Sequence, residues 1–358
     1  MGSMAKSKIY LYEDRPLFGL DIGHGSLRVM QIDRAHSRPK LVGYGAASFN
    51  PTAIVDGVIE KPEIIAEAAQ QLFKHHLIGD ITTKRVAVSL PVARAFTRSM
   101  YVPNLTTKEA AEAVRTEAEQ YIPAAIDDLY LDYSHAKVGQ KNNELFLVAM
   151  PKRIVDSYLT LTKLLGLEAI LFETSIGAGA QLFGKDTQKD VPSVLIDFGS
   201  DSADITVYNG GLVVSGTVAC GGEEITELIS KALDVTPKEA NIIKSKYGLG
   251  YSKKQTQIEK SLEPLMNLLL KEIRRTVRYY EERSESKQTI GQVIIMGGGA
   301  NMPGLAEYLT NNLRLAVRAF DPTTHIDFGR LQPFSPHERM SYVTVAGLGL
   351  TDPAKVFG

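Results

Sequence analysis

The sequence predicts an α/β chain built from two homologous halves, with a ligand cleft where the halves meet. Three observations carry this. A strand–acid–glycine hairpin occurs twice, nearly half a chain apart. A glycine triplet leaves a third buried strand. Short apolar strands and amphipathic helices are mixed along both halves. The first hairpin is Phe18-Gly-Leu-Asp21-Ile-Gly23-His-Gly-Ser26-Leu-Arg-Val, and the second is Val194-Leu-Ile-Asp197-Phe-Gly199-Ser-Asp-Ser202-Ala-Asp-Ile. Each runs from an apolar strand through Asp, an apolar residue and Gly into a small polar turn and a second strand. A repeat this long implies duplicated domains, not a solenoid.

Along the chain, Leu17 to Ile22, Leu27 to Ile32 and Lys40 to Phe49 read as a β-meander. Residues 61–77 are helical, with Ile64, Ile65, Ala68, Leu72 and Phe73 on one face. Arg85 to Leu90 is a buried strand closed by Pro91. Residues 93–152 change character: a strand from Ala95 to Val102, a helix capped by Thr107 and ending near Tyr121, then strands Tyr130 to His135 and Glu144 to Met150. That unit is long enough to be an inserted subdomain. Residues 152–166 are helical, and Val191 to Ile196 restarts the hairpin pattern. Glu223 to Leu233 and Gln257 to Arg283 are helices, the latter with Leu262, Leu265, Leu269, Ile273, Val277 and Tyr280 at threes and fours. Gln292 to Met296 is a strand, and Tyr342 to Leu350 is a helix of small residues. Residues 1–15 read as a tail or an edge strand, and the last residues from Asp352 show no amphipathic pattern.

Composition narrows the function classes. A chain of 358 residues suggests about two domains. A net charge of -1 sets up no global field toward nucleic acid or an acidic membrane. The single cysteine excludes an internal disulfide framework, and Cys220 reads as a packing residue beside Gly221 and Gly222. The best membrane-span candidate, Leu159 to Phe172, is broken by Thr160, Thr162, Lys163 and Glu168. Met1 to Lys6 lacks the apolar core of a secretory leader.

The hairpins suit phosphate chemistry. Gly23 and Gly25 permit a tight turn whose N–H groups can cradle an anion. Ser26 adds a hydroxyl, Arg28 a positive charge, and Asp21 a ligand for Mg2+. In the second hairpin Gly199, Ser200 and Ser202 supply the turn and hydroxyls, and Asp197 stands where Asp21 stands in the first. Asp201 and Asp204 are extra acids, and Asp204 is expected in a solvent-facing or structural role. Taken singly, either hairpin also fits an Asp-stabilised turn with no ligand. Gly297, Gly298 and Gly299 let a ribose or base press on bare backbone. Neither a dinucleotide fingerprint nor a Walker A pattern is present.

This constellation resembles the actin, Hsp70 and sugar-kinase superfamily. Glu117 to Pro123 with Leu131-Asp132-Tyr133, Glu272 to Tyr280, Ile295 to Leu305 and Val55 to Ile59 resemble the PilM family of type IV pilus assembly proteins, which is similar to the division protein FtsA. The resemblance runs from about residue 17 to 350. It implies an α/β, actin-like ATPase (ribonuclease H-like) fold of duplicated domains with an FtsA-type inserted subdomain. The division would be 1–92 with 153–190 and 341–358, 93–152 inserted, 191–225 with 291–340, and 226–290.

The resemblance also implies ATP with Mg2+ as cofactor. Asp21, Gly23, His24, Gly25 and Ser26 would form one phosphate loop, with Arg28 beside it, and Asp197, Gly199, Ser200 and Ser202 the other. Asp21 and Asp197 would hold the metal. Gly221 and Gly222 join the nucleotide set, and Gly297, Gly298, Gly299 and Ala300 would hold the adenosine. Asn241, where relatives carry Glu, and Lys244 would touch ribose and base. Glu173 would orient a hydrolytic water or cap a helix, with hydrolysis weak or absent. The implied partner is the N-terminal cytoplasmic peptide of PilN, in a groove near Ala95, Phe96, Tyr101, Val114 and Tyr121. The pilus motor ATPase and platform protein are further partners, and a homo-oligomer or ring stays open. No nucleic acid is expected, and the membrane is met only through partners, from the cytoplasm. Two rivals stay open. A small-molecule kinase would need a base after the Arg85–Leu90 strand, where Pro91-Val92 follows. An FtsA-like division filament would carry a basic amphipathic terminal helix.

Overall fold

The computed structural model of the chain describes residues 16–103, 105–138, 142–283 and 288–352. The expectations for residues 1–15 and for the segment beyond Asp352 lie outside the described residues.

The first half opens with a meander, β1 (Phe18–Ile22), β2 (Ser26–Asp33) and β3 (Lys40–Ser48). A small hairpin follows, β4 (Ile54–Val55) and β5 (Val58–Ile59), then α1 (Pro62–His75), β6 (Ile78–Gly79) and β7 (Arg85–Leu90). Next come β8 (Phe96–Pro103), α2 (Thr107–Tyr121), β9 (Leu129–Val138) and β10 (Asn142–Pro151). The chain then returns through α3 (Lys152–Leu164), β11 (Glu168–Thr174) and α4 (Ser175–Phe183). The second half holds β12 (Ser193–Phe198), β13 (Ala203–Tyr208), β14 (Leu212–Val218), α5 (Gly222–Leu233), α6 (Pro237–Lys246) and α7 (Gln255–Arg283). It closes with β15 (Gln292–Met296), α8 (Leu305–Leu313), β16 (Ala316–Ala319) and α9 (Val343–Gly349).

The duplication is visible in the sheets. One sheet has the order β11-β7-β1-β2-β3-β6 and another β14-β13-β12-β15-β16. Within each, a three-strand antiparallel meander continues through two parallel strands: β3, β2, β1, β7, β11 match β14, β13, β12, β15, β16. The central strands β7, β12, β13 and β15 are buried along their whole length, as near-continuous apolar runs covered on both faces must be.

Helices α4 and α9 lie between the two sheets. Their shared core draws Met30 from the first half, Leu195 and Ile294 from the second, and Ile176 and Val343 from the helices. The small residues of α9 are needed there. A Cβ on Gly347 would fall on the backbone of Ala178 in α4, so the helices cross at glycine distance. Helices α1 and α3 cover the outer face of the first sheet, and α5 and α7 that of the second. Cys220 is buried in the second-half core, and burial pushes its thiol up to about 12. It packs rather than reacts.

Residues 96–151 form a separate three-stranded sheet, β8-β10-β9, with α2 laid on one face. The cap of α2 is Thr106 rather than Thr107. Its hydroxyl accepts from the Glu109 N–H, and the Glu109 carboxylate accepts from the Thr106 N–H at 2.8 Å, a reciprocal capping box. Ala110, Val114 and Ala118 bury against Val102, Leu145 and Leu147.

Candidate functional site

The two hairpins meet at a cleft of about 1130 Å³ lined from both halves. They use the same turn. The Gly23 N–H donates to the Ser26 carbonyl at 2.9 Å, and the Gly199 N–H donates to the Ser202 carbonyl at 2.9 Å. Asp21, Gly23, His24, Ser26 and Arg28 line the cleft from one side, and Asp197, Gly199, Ser200 and Ser202 from the other. Gly222, Asn241, Lys244 and the Gly297–Gly299 turn complete the lining. These residues come from elements far apart in sequence, and the fold brings them to one place.

The acids at the strand ends are held differently. The Ser89 hydroxyl on β7 donates to Asp21 at 2.7 Å while accepting the Ile22 N–H at 3.1 Å. Arg28 stands opposite Asp21 in the β1–β2 register. Burial still raises the Asp21 carboxyl, with Arg28 and the Ser89 bond opposing. Asp197 stands opposite Asp204 instead. Burial, then Asp204, then Asp21 push the Asp197 carboxyl up to about 7, against a hydrogen bond from Ser175 and the charge of Arg28. Asp204 is itself buried and pushed up to about 6, although it accepts a 2.6 Å hydrogen bond from Thr217. The solvent-facing option for Asp204 is thereby closed.

The glycines divide by cause. Neither Gly23 nor Gly25 adopts positive φ, and an added Cβ would stay 3.5 Å or more from its neighbours. Turn geometry does not demand glycine there, contrary to the expectation; of the two, only Gly23 lines the cleft. Gly25 itself is off the cleft lining, its carbonyl accepting from the Phe49 N–H. Gly297 has φ of 82°, and its Cβ would fall on the Asp197 carboxylate. Gly299 packs on Phe198, so within the triplet Gly298 has the most room. Ala300 is buried behind the turn and does not line the cleft. Gly221 lets the start of α5 come against the Ser200 carbonyl. The amide of Gly222 then donates to Gly199, and that of Glu223 to Ser200.

Lys244 reaches from α6 to the start of α5. It donates to the Gly222 carbonyl at 2.9 Å and to Thr226 at 2.7 Å, and burial lowers its ammonium from the ordinary range. Glu173 is not brought to the cleft. Its carboxylate accepts from the N–H of Thr174, the N-cap of α4, at 2.8 Å and from the Gln181 side chain further along that helix. Thr174 is the capping side chain of α4, accepting the Gly177 N–H, and Glu173 holds the cap residue's own amide. Val114 is 2% exposed inside the small sheet's core, so it cannot line an open groove. Phe96 and Tyr121 are exposed on the α2 side, where Arg98 lies 3.5 Å over the Tyr121 ring and pairs with Glu117. By strand alternation Tyr101 points to the opposite face, toward Arg283 of α7. Ala95 is half-buried between the cores.

Sequence reasoning missed several cleft residues. Ser89 was legible as a lone hydroxyl in an apolar strand. Arg94 and Asp56 pair at 3.1 Å on the cleft wall, and the Asp56-Gly57 turn, both with positive φ, was the signal. Tyr158 lines the wall near Asp21 with its phenol pushed up by burial.

A family model for the type IV pilus assembly protein PilM matches residues 19–352. The chain belongs to the PilM family. Its fold superposes on PilM in the solved PilM–PilN type IV pilus biogenesis complex with a TM-score of 0.81, at 21% identity over 93% of this chain and 97% of that one. The fold is actin-like: MreB5 of Spiroplasma citri bound to ADP matches with a TM-score of 0.52 at 12% identity, over 94% of this chain and 95% of that one. Among sequences, FtsA of Bacillus subtilis is 26% identical over 58% of this chain, which spans only 54% of that relative's length. FtsA of Staphylococcus epidermidis is 20% identical over 87% of this chain and 75% of its own. Among the described residues, no helix is long and apolar enough to cross a membrane.

Proposed function

We propose that the chain binds ATP with Mg2+ in this cleft and serves as a cytoplasmic adaptor of type IV pilus assembly. In this reading it takes the N-terminal peptide of PilN and links it to the motor ATPase and platform protein. The observation that carries the nucleotide reading is the pair of hairpin turns closed by the same hydrogen bond and facing one cleft, each with an acid at its strand end, half-buried at Asp21 and buried at Asp197. Asp21 and Asp197 suit a hard divalent cation, since both carboxylates are destabilised by burial and a bound cation would relieve that. Ser26, Ser200, Ser202 and the turn amides would take phosphate oxygens, and Gly298 would face the nucleoside. Slow or absent turnover fits the engagement of Glu173 at α4. Calorimetry with Mg-ATP tests the site: Asp21→Ala and Asp197→Ala should each weaken binding, and unchanged affinity in both would refute it.

For the partner, the exposed Phe96 and Tyr121 beside Arg98 support a peptide site at the α2 edge of the small sheet. The separate sheet over residues 96–151 supports treating 93–152 as an inserted subdomain. Helices α5 and α7 share one core with the second sheet, so the described residues of 226–290 have no core of their own. A pull-down on immobilised PilN peptide, with and without Mg-ATP, should capture the chain. Phe96→Ala with Tyr121→Ala should abolish capture if this edge is the groove.

A further inference from the structure

We propose that His24, Asp201 and Glu223 form a second divalent-metal site, of transition-metal type, that clips the two hairpins together across the cleft. His24 lies in the β1–β2 turn, Asp201 in the β12–β13 turn, and Glu223 in the first turn of α5. The His24 Nδ1 lies 3.0 Å from the Asp201 carboxylate, and its Nε2 lies 3.8 Å from Glu223. One donor atom from each residue falls within 4.8 Å of the others. A four-coordinate ion with bonds of about 2.0–2.2 Å sets neighbouring ligands roughly 3.4 Å apart. The His24–Asp201 edge is therefore already near the required length. Glu223, whose side chain is 62% exposed, has the freedom to swing to the same nitrogen.

The donor set chooses the ion. One imidazole with two carboxylates suits zinc or nickel, whereas magnesium takes oxygen ligands and keeps its waters. The site is thus chemically distinct from the Asp21–Asp197 pair. Charge gives a second reason. Among the described residues, the one ion-pair partner of Asp201 and of Glu223 is His24; the Lys244 ammonium feels the Glu223 charge but forms an ion pair with neither acid. An imidazole carries at most one positive charge, and only while protonated. Two carboxylates at the phosphate end of a cleft would repel a triphosphate, and a dication supplies the missing charge. This charge argument rests on the nucleotide reading; the three-residue geometry does not.

Calorimetric titration of the nucleotide-free full chain with Zn2+ tests the proposal, with thermal melting as a second readout. One saturable Zn2+ per chain and a raised Tm are expected. His24→Ala and Asp201→Asn should each weaken Zn2+ at least about tenfold and abolish the Tm shift, about 1.4 kcal/mol per decade. Excess Mg2+ should leave Zn2+ bound. Asp197→Ala should lose Mg-ATP yet retain Zn2+, which separates failure of this site from failure of the nucleotide site. Zn2+ affinity unchanged by His24→Ala, in a variant that melts like the parent, overturns the proposal. Absence of saturable Zn2+ binding overturns it too, and leaves the three residues as a proton-dependent ion pair.

Discussion

The first hairpin sets a cation across from its acid, and the second sets another acid there. Register places Arg28 opposite Asp21 and Asp204 opposite Asp197, on otherwise matching strands and turns. The backbone is duplicated, but the electrostatics are not. Asp21 has Arg28 and Ser89 to favour its charged form, and Asp197 has Ser175 and then Arg28 against two like charges. The second hairpin thus has more to gain from a bound cation. A duplicated fold supplies two scaffolds, and the residue opposed to each acid helps set how strongly its charge is disfavoured.

Removing each acid breaks or sharpens that contrast most strongly. Asp197→Ala is expected to weaken Mg-ATP by about a hundredfold, roughly 2.7 kcal/mol. Asp21→Ala is expected to cost nearer tenfold, because Arg28 remains to face the phosphates. Calorimetry on both variants checks this, and equal losses would erase the asymmetry.

Gly297→Ala should come next. At φ of 82° an alanine is strained by about 1–3 kcal/mol, and its Cβ would press on the Asp197 carboxylate. The variant should melt lower and bind Mg-ATP more weakly. Gly23→Ala, with room for a Cβ and ordinary φ, should keep its melting point while losing nucleotide affinity. A fall in melting point for Gly23→Ala would return that glycine to a structural role.

That pair of variants also shows what was legible in the sequence. The repeat was readable because strand, acid and turn are local and stand together twice. The function of its glycines was not, since φ and the space around a Cβ depend on distant segments such as Phe198. Val114 was misplaced for a related reason: periodicity finds the apolar face of α2 but cannot say whether a sheet or a peptide covers it. Glu173 sits beside Ser89 in the strand register, yet its side chain turns to α4, a choice made by the Thr174 amide. His24 and Asp201 meet only because the two halves close on one another.

The pH dependence of binding probes the second hairpin with a smaller effect. A carboxyl raised to about 7 is protonated below that, so a cation must displace a proton. Mg-ATP affinity should fall by up to tenfold per pH unit as pH drops from about 7 toward 6. The sign for stability is opposite. Between about pH 4 and 7 the folded state holds a proton that the unfolded chain has released, so this group lowers stability as pH rises through that window. Asp204→Asn removes the facing charge and should shift both effects to lower pH. Calorimetry and urea melts across that range check it, and a profile identical to the parent would remove Asp204 as the cause.

The smallest expected effect tests the first hairpin by the same logic. Ser89→Ala takes the 2.7 Å bond from Asp21 and leaves the Ile22 N–H without its acceptor. An unsatisfied buried amide costs about 1–3 kcal/mol, so a modest drop in urea stability is expected. Mg-ATP should weaken only a few-fold, because Arg28 still opposes the desolvation of Asp21. If Ser89→Ala instead matched Asp197→Ala in lost affinity, the first acid would depend on its hydroxyl as fully as the second depends on a cation. The difference between the hairpins would then lie in which neighbour holds each acid, not in how much each one needs the metal.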